Sequence, residues 1–390
     1  MAISHYIQQS IEKSSWIRKM FEEGSLLKAK FGDENVYDFS LGNPDIAPPD
    51  KFFDVLSHII QSRENGKHGY MPNAGFPDVN EVIAGKVSRE HGITVSASQI
   101  VMTCGAAGGM NVVLKTILNP GDEVIVIKPY FVEYGFYVQN HNGTIVLAES
   151  NEDFSLNIEN IQKAITPKTK AVIINSPNNP TGRIYPEKDI QSLSEMLREN
   201  SSASPIYLIS DEPYRDIIYD SVTVPSVLAH YDNAFVITSY SKTLSVPGER
   251  IGYIAVSPNC SDLTQLMAGL VLSNRILGFV NAPALMQRVV AELIDESVDM
   301  DAYRRRRDLF VDGLQAAGYE FPVPEGAFYI FCKSPIPDDV AFAKHLLQYN
   351  ILAVPGVGFG GPGYFRLAYC VSEDVISRSL PKFKEAIETI

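Results

Sequence analysis

A lysine and an aspartate each follow a short apolar run in the middle of this 390-residue chain. Lys242 comes shortly after the run 234–238, and Asp211 comes directly after residues 206–210. A lysine amine can hold an aldehyde cofactor as an imine, and a carboxylate can keep a pyridine nitrogen protonated so that the ring accepts electrons. Together, the two residues predict covalent chemistry on an aldehyde cofactor with a pyridine ring.

Such a cofactor needs a site for its phosphate handle, and the sequence offers backbone amides, hydroxyls and a cation near the same runs. Gly105 follows the run 100–103 and permits a tight turn into a helical segment, whose first amides lie at the positive end of the helix dipole. Hydroxyls and a guanidinium add charge-assisted hydrogen bonds. The candidate phosphate ligands are Gly105, Ala106, Ala107, Ser239, Ser241 and Arg250.

Three further residues could contact the cofactor ring. Asn179 and Tyr214 can hydrogen-bond a ring hydroxyl, and Phe131, which follows the run 124–127, can stack on the ring. Each residue also has an ordinary structural interpretation when it is taken alone. Asn-Pro sequences form turns, aromatic residues fill cores, and a lysine at a strand end usually extends into solvent. The prediction therefore depends on their occurring together.

Seven short apolar runs alternate with helix-like segments and predict the strands that position these residues. The runs are 100–103, 124–127, 144–147, 171–174, 206–209, 234–238 and 251–256. Several are apolar on both faces, which is typical of strands covered by helices on both sides, and the alternation indicates parallel crossovers. Ligands of such sheets bind beyond the carboxyl ends of the strands, where the candidate residues stand. The predicted fold class is α/β, with a mostly parallel seven-stranded sheet.

The pattern changes outside this block and predicts a second, smaller domain. Residues 46–285 are expected to form the large cofactor-binding domain. Residues 1–45 supply an amino-terminal arm and part of the small domain, and residues 286–390 supply its remainder as an α+β unit.

Four motifs make the chain resemble a known family. They are Asn178-Asn-Pro-Thr-Gly182, Asp211-Glu-Pro-Tyr214, Ser239-Tyr-Ser-Lys242 and Gly248-Glu-Arg-Ile-Gly252. In this order and approximate spacing they resemble the class I/II, fold-type I pyridoxal-phosphate-dependent aminotransferases, the aspartate aminotransferase superfamily, over nearly the whole chain. The resemblance implies an enzyme that uses pyridoxal 5′-phosphate to move an amino group between an L-amino acid and a 2-oxo acid by a ping-pong mechanism.

The resemblance also implies roles for individual residues. Lys242 is expected to be the Schiff-base lysine and proton shuttle, with Asp211 and Tyr214 completing the catalytic set. Arg366, in Phe-Arg-Leu-Ala, resembles the arginine that grips the substrate α-carboxylate by a bidentate pair. The substrate-binding residues that the resemblance implies are Gly42, Asn179 and Arg366.

Assembly and substrate preference follow from the same resemblance. Tyr70, in Gly-Tyr-Met-Pro-Asn-Ala-Gly, resembles the tyrosine that reaches the cofactor phosphate of the neighbouring subunit, which implies a homodimer with active sites at the subunit interface. Some family members that bind acidic substrates carry a lysine at the position of Ala107, so a preference for aspartate is not expected. The side-chain preference stays open.

Two other functions share the same scaffold. A lyase breaking a Cβ–S bond would use the same cofactor, because fold alone does not distinguish the reactions. A non-catalytic regulator that binds the cofactor would usually carry a fused DNA-binding segment, for which about 30 residues before the fold leave little room.

Charge and cysteine content argue against several partners. With 33 Lys+Arg and 46 Asp+Glu the formal net charge is −13, so nucleic acid is not an expected partner. The densest basic run, Arg304 to Arg307, lies among acidic residues in a helical pattern and is interpreted as a solvated helix face. Four scattered cysteines match neither a zinc site nor a disulfide framework. No metal, no membrane contact and a cytoplasmic location are expected.

Overall fold

The computed structural model describes residues 2–12, 16–63, 65–201 and 204–390. The helices are α1 (His5–Glu12), α2 (Trp16–Phe31), α3 (Asp50–Gln61), α4 (Pro77–His91), α5 (Gly105–Ile117), α6 (Glu133–Gln139), α7 (Ile158–Ala164), α8 (Glu187–Asn200), α9 (Val227–His230), α10 (Tyr240–Thr243), α11 (Leu263–Ile276), α12 (Ala284–Glu292), α13 (Met300–Ala316), α14 (Asp339–Leu346) and α15 (Glu373–Glu388). The strands are β1 (Tyr37–Asp38), β2 (Ile100–Thr103), β3 (Glu123–Lys128), β4 (Thr144–Glu149), β5 (Thr169–Asn175), β6 (Tyr207–Asp211), β7 (Ala234–Ser239), β8 (Gly252–Val256), β9 (Tyr329–Lys333), β10 (Ile351–Leu352), β11 (Val354–Pro355) and β12 (Tyr364–Ala368).

The seven predicted strands form one sheet in the order β2-β8-β7-β6-β5-β3-β4. Strand β8 runs antiparallel to both of its neighbours, and the other pairs are parallel. The prediction of a mostly parallel, seven-stranded α/β sheet is therefore confirmed.

The inner strands of this sheet are buried on both faces, as the apolar runs predict, whereas only Ala148 is buried in the edge strand β4. Along β5, Val172 and Ile174 belong to one hydrophobic core, and the alternating residues Ala171 and Ile173 belong to another. Successive side chains of a strand point to opposite faces, so a strand between two helical layers must be apolar at every position. Every residue of β6 and β8 is buried.

The strand directions bring separate motifs to one edge of the sheet. The parallel strands β5, β6 and β7 end at Asn175, Asp211 and Ser239 at their carboxyl edge. Because β8 is antiparallel, it starts at that edge, with Gly252 opposite Ser239. Arg250, two residues before β8, therefore lies at the same edge as residues that end the preceding strands.

A second core joins both ends of the chain. Strands β11, β12 and β9 form an antiparallel sheet in that order, and β1 pairs in parallel with β10. The core around these strands contains Phe39 as well as residues of α13 and α15, and also Tyr214 and Ile217 from the predicted large domain. The domain boundaries at residues 45/46 and 285/286 remain a prediction.

The interpretation of Arg304 to Arg307 as a solvated face is wrong for half of this run. Arg304 and Arg305 are exposed on α13, but Arg306 and Arg307 are buried. Each of the two buried guanidiniums pairs with a carboxylate distant in sequence, Asp45 for Arg306 and Asp220 for Arg307. Charge spacing within one helix could not reveal these partners, because they come from other elements.

No helix among the described residues combines the length and apolar character needed to cross a membrane.

Candidate active site

A cavity of about 380 Å³ opens at the carboxyl edge of the sheet, where the second core meets it. Twelve of the fourteen predicted site residues line this cavity. They are Gly42, Ala106, Ala107, Phe131, Asn179, Asp211, Tyr214, Ser239, Ser241, Lys242, Arg250 and Arg366. They come from both ends and the middle of the chain, so the fold brings together most of the residues that the sequence nominates.

Gly105 lies behind the cavity wall, next to Arg250. Its φ of +71° lies in the left-handed region, where a side chain is strained. A Cβ added at Gly105 would lie 3.0 Å from Nη2 of Arg250. The glycine therefore lets the chain turn from β2 into α5 while the guanidinium packs against the first turn of the helix.

Tyr70 does not reach the cavity of its own chain. Its side chain is 93% exposed. It lies at a separate surface depression together with Phe279 and Asn281. Its predicted phosphate contact could be made only in another subunit.

The Lys242 amine lies inside the cavity with a neighbouring backbone carbonyl as its acceptor. Lys242 lies in the short helix α10, and its Nζ donates to the carbonyl oxygen of Gly42 at 2.6 Å. Burial lowers the pKa of Lys242 to about 8; Cys370 opposes this shift, and the positive charges of Arg366 and Arg250 favour it. A considerable fraction of this amine is therefore neutral near physiological pH.

Asp211 is buried at the end of β6 and has one oxygen without a partner. Oδ2 accepts a hydrogen bond from the hydroxyl of Tyr134 at 2.5 Å, and Oδ1 has no hydrogen-bond partner among the described residues. Burial raises the pKa of Asp211 to about 7; the Tyr134 hydrogen bond lowers it, and the charge of Glu212 raises it. The carboxylate therefore lacks a cationic partner.

Arg366 lies on β12, and its side chain is buried between two aromatic rings. Its Nη1 donates to Oδ1 of Asn179 at 3.0 Å and its Nη2 to the carbonyl oxygen of Ser40 at 2.6 Å. The guanidinium carbon lies 4.6 Å from the ring centres of Tyr329 and Phe359. Nε has no partner among the described residues. A buried guanidinium without a carboxylate partner is suited to binding an anionic ligand.

Three further residues of the cavity make hydrogen bonds that the sequence did not predict. Tyr134 donates to Asp211, and Tyr329 shares a 2.9 Å hydrogen bond with the hydroxyl of Tyr214. Asn175 donates from Nδ2 to the Asp211 carbonyl at 2.7 Å, and its Oδ1 accepts from the Asn179 amide. Asn175 ends a predicted strand and could have been found there. The two tyrosines have no local signal, because tertiary packing alone places them.

The donor set fits pyridoxal phosphate. The unpartnered oxygen of Asp211 would be satisfied by a protonated ring nitrogen, and the buried, partly neutral amine of Lys242 suits an aldehyde. Hydroxyls of Ser239 and Ser241 lie with Arg250 in the same cavity and suit a phosphate. Among the described residues, no group of three or more His, Cys, Asp or Glu side chains is placed to hold a metal ion.

The relatives of this chain reported below carry aminotransferase names. Residues 34–382 match the family Aminotransferase class I and II. The chain is 33% identical to the aspartate/prephenate aminotransferase of Thermus thermophilus over 355 residues, which are 89% of each protein. It is 33% identical to a probable aspartate aminotransferase of Methanocaldococcus jannaschii over 393 residues, covering 96% of this chain and 98% of that protein.

Solved structures agree with the sequence relatives. An aminotransferase from Eubacterium rectale superposes with a TM-score of 0.97 at 37% identity, covering 100% of this chain and 99% of that one. The aspartate aminotransferase of Thermus thermophilus with maleate gives a TM-score of 0.88 at 29% identity, covering 99% of this chain and 100% of that one. The fold and site thus define a fold-type I transferase. The chain belongs to the class I and II aminotransferase family, whose members use pyridoxal phosphate, and it is an aminotransferase.

Proposed function

We propose that this aminotransferase binds pyridoxal 5′-phosphate in the 380 Å³ cavity and uses Lys242 and Asp211 to exchange amino groups between L-amino acids and 2-oxo acids. The observation that carries the proposal is the presence of both residues in one cavity, with one Asp211 oxygen buried and unpartnered. An unpartnered oxygen is not expected of a merely structural aspartate, because a buried carboxylate normally has its hydrogen bonds satisfied.

Each end of the cavity would hold a different part of the cofactor. Pyridoxal phosphate supplies, when bound, an aldehyde that attaches amino groups and a ring that accepts electrons from Cα. Asp211 would hold the ring nitrogen, and Asn179 with Tyr214 would hold the ring hydroxyl. The residues that would bind the phosphate are Gly105, Ala106, Ala107, Ser239, Ser241 and Arg250, while Phe131 would cover the ring.

Lys242 is the proposed carrier of the proton. Burial lowers the pKa of its amine to about 8, so that Nζ can take a proton from the substrate Cα and give one back near neutral pH. The carbonyl of Gly42, 2.6 Å from Nζ, orients the amine when the amine is not attached to the cofactor. The protein thereby keeps its base within the cavity and away from bulk water.

Arg366 and Gly42 are the proposed site of the substrate α-carboxylate. The guanidinium is fully buried and its position is set by Asn179 and Ser40, so little conformational freedom is lost when a carboxylate binds. A fixed carboxylate orients the Cα–H bond relative to Lys242. This orientation reduces the entropy that the substrate must lose to reach the transition state.

Each lysine and arginine side chain that lines the cavity already has a proposed role in binding the cofactor or the α-carboxylate. Among the described residues the lysine and arginine side chains lining it are Lys242, Arg250 and Arg366. A second carboxylate on the substrate would therefore need a cation from the partner subunit. The relative named for aspartate and prephenate makes these acidic compounds, with their amino and oxo counterparts, the first to test.

We also propose a homodimer in the cytoplasm. The 93% exposure of Tyr70 fits a side chain that completes a partner's site. The described cysteines are all free thiols, which is consistent with a reducing compartment.

Half-reactions test the function directly. The protein loaded with pyridoxal phosphate is mixed with each of the twenty amino acids, without an acceptor, and the cofactor absorbance is followed; conversion to the amino form supports the proposal. A second mixing, with 2-oxoglutarate or pyruvate, should restore the original spectrum. The Lys242→Ala variant is the control and should convert nothing.

The same protein distinguishes transamination from a lyase reaction. Cystathionine without an oxo-acid acceptor should give no sustained release of pyruvate and ammonia. The relatives reported above carry aminotransferase names, which favours transamination. Steady release over many turnovers would instead support the lyase.

A further inference from the structure

The loop between β1 and α3 contacts two cavity residues and a nearby cysteine through its backbone carbonyls. The carbonyl of Gly42 accepts from Lys242, that of Ser40 accepts from Arg366, and that of Leu41 accepts from the Cys370 thiol at 3.4 Å. The hydrogen bonds to these three successive carbonyls therefore depend on the position of this loop. We refer to residues 40–46 as the carbonyl loop.

The carbonyl loop has little space to move. A Cβ added at Gly42 would lie 2.0 Å from the hydroxyl of Tyr329, so the backbone passes directly over that ring. A shift of the backbone toward Tyr329 would produce a clash, and a shift away would lengthen the 2.6 Å contact between the Gly42 carbonyl and Lys242. The loop therefore requires a restraint beyond its neighbours in the chain.

A side-chain pair supplies that restraint from α13. Asp45 of the carbonyl loop accepts two hydrogen bonds from Arg306, at 2.6 Å from Nη1 to Oδ1 and at 3.1 Å from Nη2 to Oδ2. The Arg306 side chain is 10% exposed and that of Asp45 is 35% exposed, so water screens the pair only in part. A bidentate Arg–carboxylate pair fixes orientation as well as distance.

We infer that Arg306 and Asp45 are positioning residues, which hold the carbonyl loop so that Gly42 and Arg366 are arranged to receive the substrate carboxylate. This inference rests on the proposed function. Neither residue lines the cavity, so neither touches the reacting atoms. Their effect passes through the backbone of residues 40–46, and it should fall mainly on substrate binding.

A second pair on the same helix provides a matched control. Arg307, next in sequence, is also buried and binds Asp220 through both terminal nitrogens. Its other hydrogen-bond partners are Asp308 and the carbonyl of Pro324, outside the carbonyl loop. Loss of this pair should cost stability without moving Gly42.

The test compares Asp45→Asn, Arg306→Met and their double variant with Asp220→Asn and Arg307→Met, all as loaded enzyme. For an amino acid that the native enzyme accepts, each loop variant should raise KM roughly tenfold and change kcat less than about threefold, since uniform binding is lost. The double variant should be no worse than the worse single variant, because both remove one interaction. The control variants should lower Tm and leave KM within about twofold.

Hydrogen exchange of the amides in residues 40–46 gives a readout independent of activity. Exchange should become faster in Asp45→Asn and Arg306→Met and stay native in the control variants. An unchanged KM and unchanged exchange in Asp45→Asn would overturn the inference, even if Arg306→Met fails to fold. So would additive effects in the double variant, or an equal rise of KM in Arg307→Met. If the native protein converts no amino acid, the proposed function fails, and the exchange measurement alone decides the role of the pair.

Discussion

At the scale of single residues, burial moves the pKa values of the two proposed catalytic groups toward their neutral forms. Burial lowers the pKa of Lys242 to about 8 and raises that of Asp211 to about 7. Both shifts disfavour a charge within the cavity. A bound cation beside Asp211 would reverse the second shift, because its unpaired oxygen would gain a partner.

The first prediction concerns the pH dependence of cofactor attachment. With a pKa of about 8, roughly a tenth of Lys242 is neutral at pH 7, against about 0.03% for an unperturbed lysine. Attachment of pyridoxal phosphate to the cofactor-free protein should therefore accelerate as the pH rises and level off above about 8. Stopped-flow absorbance measures this rate. A rate still rising in proportion to hydroxide at pH 10 would contradict the lowered pKa.

The second prediction concerns Tyr134. Removing its hydroxyl in Tyr134→Phe deprives the Asp211 carboxylate of its 2.5 Å hydrogen bond, so the pKa of Asp211 should rise further. We expect kcat/KM to fall roughly 10- to 100-fold, the range for a lost hydrogen bond to a charged group. The acid limb of the pH profile should move to higher pH. Tyr137→Phe, which changes another tyrosine of the cavity, is the control and should have a much smaller effect.

Residue types alone predicted most of the cavity but not its hydrogen bonds. Lys242, Asp211 and Asn179 follow apolar runs within a few residues, so their common location follows from strand direction. Tyr134 lies in the first turn of α6, the helix that follows β3, and only packing brings its hydroxyl to Asp211. Arg306 was misassigned for the same reason, since its partner Asp45 lies 261 residues away.

At the scale of elements, the reversal of β8 explains why residues around Lys242 and Arg250 share a site. The sequence predicted all seven strands, because each contains a short apolar run between helix-like segments. No pattern in the sequence indicated that β8 runs antiparallel to its neighbours. Gly252 shows the consequence: a Cβ there would lie 2.3 Å from the Thr238 carbonyl and 3.0 Å from the backbone of Gly105. Three backbone segments therefore pass close together at the end of the cavity that is proposed to bind the phosphate.

The third prediction concerns the turn from β2 into α5. Gly105→Ala places a side chain at φ +71° and 3.0 Å from Arg250, so it should destabilise the fold by about 1–2 kcal/mol and weaken cofactor binding. Gly92→Ala is the matched control, because Gly92 has a φ of +64° and nothing within 4 Å of its added Cβ. Both variants should lower Tm, measured by calorimetry. If Gly92→Ala weakened cofactor binding equally, the contact with Arg250 would be irrelevant.

At the scale of the whole molecule, the site is assembled from distant parts of one chain and, as proposed, from two chains. Gly42 comes from the amino-terminal part, Lys242 from the middle and Arg366 from the carboxyl-terminal part. The exposed Tyr70 is the residue that points to a second subunit. Only the resemblance to a family predicted its role, since an exposed tyrosine in a loop has no distinctive pattern.

The fourth prediction tests subunit sharing by mixing two inactive variants. Lys242→Ala lacks the base, and Tyr70→Ala is expected to bind the cofactor phosphate weakly. In a mixed dimer, one site combines the intact Lys242 of one chain with the intact Tyr70 of the other. Co-refolding equal amounts should restore about a quarter of native activity, because half of the dimers are mixed and each has one complete site. No restoration would show that Tyr70 does not serve its partner's site.

The pairing of β1 with β10 has a consequence for biosynthesis. Residues 37 and 38 pair with 351 and 352, and the ring of Phe39 packs on Phe310 and Phe383. At roughly 5–20 residues per second, about 15–60 s pass on the ribosome between the two strands. During that time the nascent chain displays an unpaired strand edge and an unburied phenylalanine, which makes this segment a natural point of capture by chaperones.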